Sequence, residues 1–133
     1  VPNFISETNQ SRKKIPSEVL LKDAVNNMSR VALLIDSLKS GDYSYLKSAT
    51  EDFIHQNIRL ESFPQIKFLM GAAIEAGALG AILSGSGPTL MVFTKGKEFT
   101  IDYELKEAAR KHNLEGQITL TKISNKGINI INE

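Results

Sequence analysis

The chain has 133 residues, 41% of them apolar and 23% charged, which is enough for one hydrophobic core and one domain. A net charge of +1 removes the electrostatic case for nucleic acid or an anionic membrane as a partner. The lack of cysteine excludes disulfides and thiolate chemistry and fits a cytoplasmic protein, and no apolar run approaches the roughly 20 residues of a membrane span.

The chain opens Val1-Pro2-Asn3-Phe4-Ile5, without an initiator Met or a charged leader, so it reads as a piece of something longer. These five residues are expected to be extended, with Pro2 limiting them to a strand start or an edge. Ser6 to Lys14 is polar and reads as a loop or a short helical turn. Ser17 is a suitable N-cap, and apolar residues at 20, 21, 24, 25, 28, 31, 32, 35 and 38 keep a helical period to Gly41. That stripe is expected to face the core. Asp42 can cap a second helix with Tyr45, Leu46, Ala49 and Phe53 inward. His55 to Pro64 reads as a polar connection carrying Arg59.

A third helix is predicted over Gln65 to Ala76, burying Ile66, Leu69, Met70, Ala73 and Ile74. Strands follow at Ala78–Leu83 and Leu90–Phe93, then a charged turn from Lys95 to Phe99. A fourth helix over Thr100–His112 buries Ile101, Leu105, Ala108 and Ala109. Alternation at Ile118–Ile123, a turn at Ser124–Gly127 and a run at Ile128–Ile131 predict a second hairpin. Strand pairs on either side of a helix give an α+β fold, an antiparallel sheet with helices packed on one face in two layers.

Between the first two strands lies Ser84-Gly85-Ser86-Gly87-Pro88-Thr89. A loop of this composition can turn several backbone N–H groups towards one point and hold an oxyanion. Gly85 and Gly87 permit positive φ, and Pro88 ends the run of donors. A plain hairpin turn would use the same residue types. There are only four arginines, so each invites a separate question; the two histidines have no neighbours at metal-ligand spacing.

The run Gly77 to Thr89 resembles the third motif of the GHMP kinases, a family of small-molecule kinases. Two further stretches are similar to the homoserine kinases within that family. One is Ser6-Glu7-Thr8 through Arg12 to Pro16, in which a Thr and, four residues later, an Arg precede a Pro. The other is Asp52-Phe53-Ile54-His55-Gln56-Asn57-Ile58-Arg59, an Asp-x-x-His-x-x-x-Arg segment. The chain departs from the pattern at Asn57-Ile58, where Pro-Tyr is usual, and at Ser62-Phe63-Pro64, in place of Leu-x-Pro.

The family's nucleotide loop, of the type Pro-x-x-x-Gly-Leu-Gly-Ser-Ser-Ala, is absent from these residues. The resemblance therefore implies a C-terminal, substrate-side domain over residues 1–133, with a ferredoxin-like two-layer sandwich. The ATP-binding domain would lie outside the chain. The implied activity of the complete protein is transfer of the ATP γ-phosphoryl group to L-homoserine, in threonine biosynthesis, with ATP and Mg²⁺ bound mainly by the other domain.

Homoserine carries a carboxylate, and planar two-pronged capture of a carboxylate calls for Arg. The resemblance assigns Arg12 and Arg59 to that task, with Thr8 adding a hydroxyl. Gly85, Ser86 and Gly87 would border the substrate. Ser84, Gly85, Ser86, Gly87 and Thr89 would brace the nucleotide loop of the other domain. No residue is assigned as catalytic and none as a metal ligand; Asp52 is expected to order the backbone near Arg59. A homodimer is compatible with this reading. Two other readings stay open: a sister GHMP kinase for a mevalonate-type or sugar alcohol, and a free-standing ferredoxin-like module that binds an amino acid.

Overall fold

The structure, a computed structural model, describes residues 1–4, 12–124 and 126–128. Among the described residues the longer elements are, in order, α1 Leu21–Ser40, α2 Leu46–Ala49, α3 Gln56–Leu60, α4 Pro64–Glu75, β1 Gly80–Leu83, β2 Leu90–Phe93 and α5 Glu98–Lys111. β1 and β2 pair antiparallel, with Gly80 opposite Phe93 and Leu83 opposite Leu90. The result is the expected α+β arrangement, with α4 and α5 packed together and α4 laid on the hairpin.

The core follows from the period of those two helices. Leu69 and Ala73 of α4 meet Ile101 and Leu105 of α5, with Ala78 between them and Leu90 and Val92 of β2 against the cluster. A second cluster of Leu60, Ile66 and Leu83 adjoins it and shares Leu90 and Leu114. Ala108 and Ala109 pack at the edge, as the fourth predicted helix requires. Pro64 occupies the first turn of α4, where its missing N–H costs nothing. Gly77, at φ 98°, turns the chain from α4 into β1.

Four expectations change. First, α1 begins at Leu21 without a side-chain cap, because Leu20 is extended and its backbone carbonyl takes the first amides. Gly41 ends it as predicted, at φ 78°. Second, the stripe of α1 points outward: Leu21, Val25, Met28, Val31, Ile35 and Leu38 are exposed. The opposite face, with Asn27, Arg30 and Ser37, meets the rest of the chain. The amide of Phe53 donates to Asn27 Oδ1 at 2.8 Å, and Arg30 pairs with Glu51 at 2.9 Å and lies over the Phe53 ring. Third, Asp42 accepts from the amide of Ser44 and so shapes the turn before α2, of which only Leu46 and Ala49 are buried. Tyr45 and Phe53 stay exposed.

The fourth change concerns the second hairpin. Residues 118–124 form no ladder among the described residues. Most of the run at Ile128–Ile131 lies outside them, as does Asn125 of the turn. At the other end, Pro2 bridges Gly116 in antiparallel sense, so the chain opens extended; it bends at Asn3 and Phe4, and Ile5 lies outside the described residues.

Candidate functional site

The site is built on α3, a helix that the sequence reading took for a polar connection. Asp52 creates it. One carboxylate oxygen accepts from the amides of Ile54 and His55 at 2.6 and 2.7 Å, with a longer contact to Gln56. The other oxygen pairs with His55 Nε2 at 2.9 Å. Amides at a helix start lack partners inside the helix, and a fixed carboxylate supplies one. Burial alone would push the Asp52 carboxyl up, but the three amides and the imidazole outweigh it and hold it below the ordinary carboxylate value.

From this short helix two side chains, three residues apart and so on one face, reach the hairpin. Gln56 is buried, and its Oε1 accepts from the amide of Leu83 at 2.8 Å. Arg59 is 8% exposed, and its Nη1 donates to the carbonyl of Gly85 at 2.6 Å. Together they clamp the end of β1 and the start of the Gly-rich loop. Arg59 Nε is buried without a hydrogen-bond partner. Among the described residues no carboxylate forms an ion pair with Arg59. A buried guanidinium of this kind carries a desolvation cost that an anionic ligand would offset.

The loop closes on itself. The amide of Ser84 donates to the Thr89 carbonyl at 2.8 Å and that of Gly87 to the Ser84 carbonyl at 3.1 Å. Gly85 and Gly87 hold φ of 59° and 80°. Two amides of the expected nest are thus engaged internally, and Gly85 turns its carbonyl, an acceptor, towards Arg59. Gly87 also packs closely: a Cβ there would lie 3.4 Å from the Phe63 ring.

Arg59 and the residues Ser84 to Thr89 are therefore together. Arg12 is exposed, in a short helical turn whose carbonyl accepts from Ile15. Two residues on, Lys14 Nζ donates to Ser62 Oγ, and the Ser62 amide in turn donates to the Arg59 carbonyl. Phe4 packs at a tilt on the neighbouring Phe63, at 5.7 Å between ring centres. Thr8 lies outside the described residues. A separate groove of about 440 Å³, lined by Lys47, Glu51, Met70, Ile74 and Glu75, includes Gln56 but none of the predicted site residues.

With this geometry in hand, comparison with known proteins is decisive. A profile of the family described as GHMP kinases C terminal matches residues 34–113. The chain belongs to the GHMP kinases. The homoserine kinase of Clostridium beijerinckii is 38% identical over 131 residues, which is 98% of this chain and 44% of that protein. The homoserine kinase of Moorella thermoacetica is 42% identical over 98 residues, 74% of this chain and 33% of that protein. A crystal structure of homoserine kinase from Cytophaga hutchinsonii superposes with a TM-score of 0.79 at 27% identity, covering 86% of this chain and 37% of that one. This GHMP kinase chain spans less than half the length of the curated relatives it matches.

Gln56 is the site residue that sequence reasoning missed. A signal was present: Gln56 and Arg59 share one face once Asp52 is read as the cap of a helix. Among the described residues no group of three or more carboxylates or imidazoles could hold a metal ion, and no helix is long and apolar enough to cross a membrane.

Proposed function

We propose that this chain is the C-terminal, substrate-side part of a homoserine kinase. The complete protein would transfer the γ-phosphoryl group of ATP to the hydroxyl of L-homoserine, giving O-phospho-L-homoserine. One observation carries the reading beyond family membership: among the described residues Arg59 is a buried cation without a carboxylate partner, held beside the Gly-rich loop by α3. An amino-acid carboxylate supplies the missing charge. Arg12 and Thr8 would complete the substrate side from the N-terminal arm, with Gly85, Ser86 and Gly87 along its border. Ser84 and Thr89, which close the loop, would keep it rigid against the nucleotide loop of the other half. Positioning and electrostatics supply most of the acceleration in phosphoryl transfer, so a domain without a catalytic base can still govern the rate. Mg²⁺, and the groups that hold it, belong in this reading to the other half, as does most of the ATP site. A small amino alcohol as partner, and a cytoplasmic location, complete the proposal.

The test uses the full-length protein with ATP, Mg²⁺ and a panel of alcohols. Phosphorylation of homoserine in preference to mevalonate and galactose is expected, and the reverse order rejects the assignment. In the same assay Arg59→Ala should raise KM for homoserine about 10- to 100-fold, the worth of a charge-assisted hydrogen bond, with KM for ATP nearly unchanged. Equal effects on both would remove Arg59 from the substrate site.

A further inference from the structure

We infer that the residues immediately before Val1 in the longer polypeptide form a β-strand laid antiparallel on Ile118–Ser124. In the register we infer, the residue just before Val1 lies opposite Ile118.

The ladder that sets this register has already begun. The Val1 amine donates to the Gln117 carbonyl, and the Gln117 amide donates back to the Val1 carbonyl, both at 2.8 Å. The Asn3 amide donates to the Glu115 carbonyl at 3.0 Å, and Pro2 stands opposite Gly116. This is the alternation of hydrogen-bonded and non-hydrogen-bonded pairs of an antiparallel ladder. Gly116 permits the close approach: a Cβ on it would sit 2.6 Å from the Val1 carbonyl oxygen. The terminal amine occupies the place of an ordinary ladder amide.

Beyond Gln117 the ladder stops although the strand pattern continues. Residues 118–124 have no backbone partner among the described residues. Ile118, Leu120 and Ile123 are exposed, Leu120 at 69% and Ile123 at 76%. An alternating segment with unpaired amides and apolar side chains in water is a strand edge without its neighbour. Continuing the register one way runs along 118–124; continuing it the other way runs out past Val1.

The occupant is the preceding segment for two reasons. The curated relatives are more than twice as long as this chain, and the matched profile is that of a C-terminal part. Chain continuity also places the upstream residues at the growing end of the ladder, so pairing needs no further loop closure, whereas a second copy must be recruited from solution. The strand has a purpose for the site. It delivers the chain to Phe4, whose ring packs on Phe63 beside Gly87, just ahead of the arm that carries Thr8 and Arg12.

The register fixes the readout. Pairs alternate, so the amides of Thr119, Thr121 and Ile123 point to the new strand, opposite the second, fourth and sixth residues before Val1. In the full-length protein these amides should exchange with solvent at least about 100-fold more slowly than in the 133-residue chain. These 133 residues contain no cysteine, so a cysteine placed just before Val1 together with Ile118→Cys, with any cysteine of the preceding part replaced by serine, tests the register directly. An intramolecular disulfide is expected with Ile118→Cys and not with Thr119→Cys, whose side chain points to the other face. Equal protection of those amides in the 133-residue chain would mean pairing with its own later residues or with a second copy, and overturns the inference. Crosslinks between molecules, or closure with Thr119→Cys instead, overturn it as well.

Discussion

Two glycines show how differently the same residue can be used. Gly80 opens β1 where it crosses α2: a Cβ there would lie 2.9 Å from the Leu46 carbonyl oxygen and 2.8 Å from Thr50 Oγ1. Thr50 cannot swing away easily, because its hydroxyl already donates to the carbonyls of Leu46 and Lys47. Gly80→Ala should therefore destabilise the protein by about 1–3 kcal/mol, the usual cost of overpacking. Gly71 lies inside α4 with open space where its Cβ would be. Gly71→Ala should be neutral or stabilise by up to about 1 kcal/mol, from helix propensity alone. Thermal melts of the two variants check this, and a larger loss for Gly71→Ala would mean that something else covers that face of α4. Asp52 gives the pH dependence. Its folded pKa is depressed below the ordinary 3.8, so its contribution is fully present above that pH and disappears as pH falls through the folded value. Asp52→Asn should flatten the acid limb of the stability curve below pH 3.8, measured by denaturant melts, while lowering stability at pH 7. An unchanged acid limb would take the helix-capping role from Asp52.

At the scale of elements, α1 carries the sharpest difference between what its sequence suggests and what the fold does. Its period predicted a six-turn helix ending at Gly41, and both hold. The period also predicted which side is buried, and that side is exposed. Periodicity reports where apolar residues cluster; it cannot report whether the body that covers them lies within the same stretch of chain. Asn27 and Arg30 read as solvent-facing residues on the same logic, yet they fasten the segment 51–53 that leads to Asp52. The expected consequence is an inverted substitution pattern in the 133-residue chain. Ile35→Ser should change stability by less than about 0.5 kcal/mol, as at an exposed site, whereas Asn27→Ala should cost about 1 kcal/mol or more through the lost acceptor for Phe53. Chemical denaturation of both variants decides, and the opposite order would mean that the stripe is covered within the chain. α4, α5 and the hairpin were legible because their partners all lie between residues 60 and 114. α3 was hidden because five residues are too short to show a period, and its cap sits four residues upstream.

For the molecule as a whole, exposed area makes the same point. The chain presents 9732 Å² to solvent, where a compact chain of 14.7 kDa would present about 7,000 Å². Much of the excess is apolar: the outer stripe of α1, the edge residues Leu120 and Ile123, and Phe99 and Tyr103 on α5. Contiguous apolar patches of this kind are uncommon on monomers and mark contact surfaces. In the proposed reading the site is incomplete in the same way, because its nucleotide loop would belong to the other half. Expected behaviour follows at both levels. The 133-residue chain should fold around its α4–α5 core, bind a hydrophobic dye, and associate as concentration rises in sedimentation experiments. It should transfer no phosphoryl group from ATP to homoserine under conditions where the full-length protein does. The full-length protein should bind several-fold less dye per mole despite its greater mass where the rest of the polypeptide covers the stripe. A full-length protein that binds as much dye as the short chain would leave the α1 face for a different occupant. Measurable turnover by the 133 residues alone would place the nucleotide site within them and reverse the division of labour proposed for the two halves.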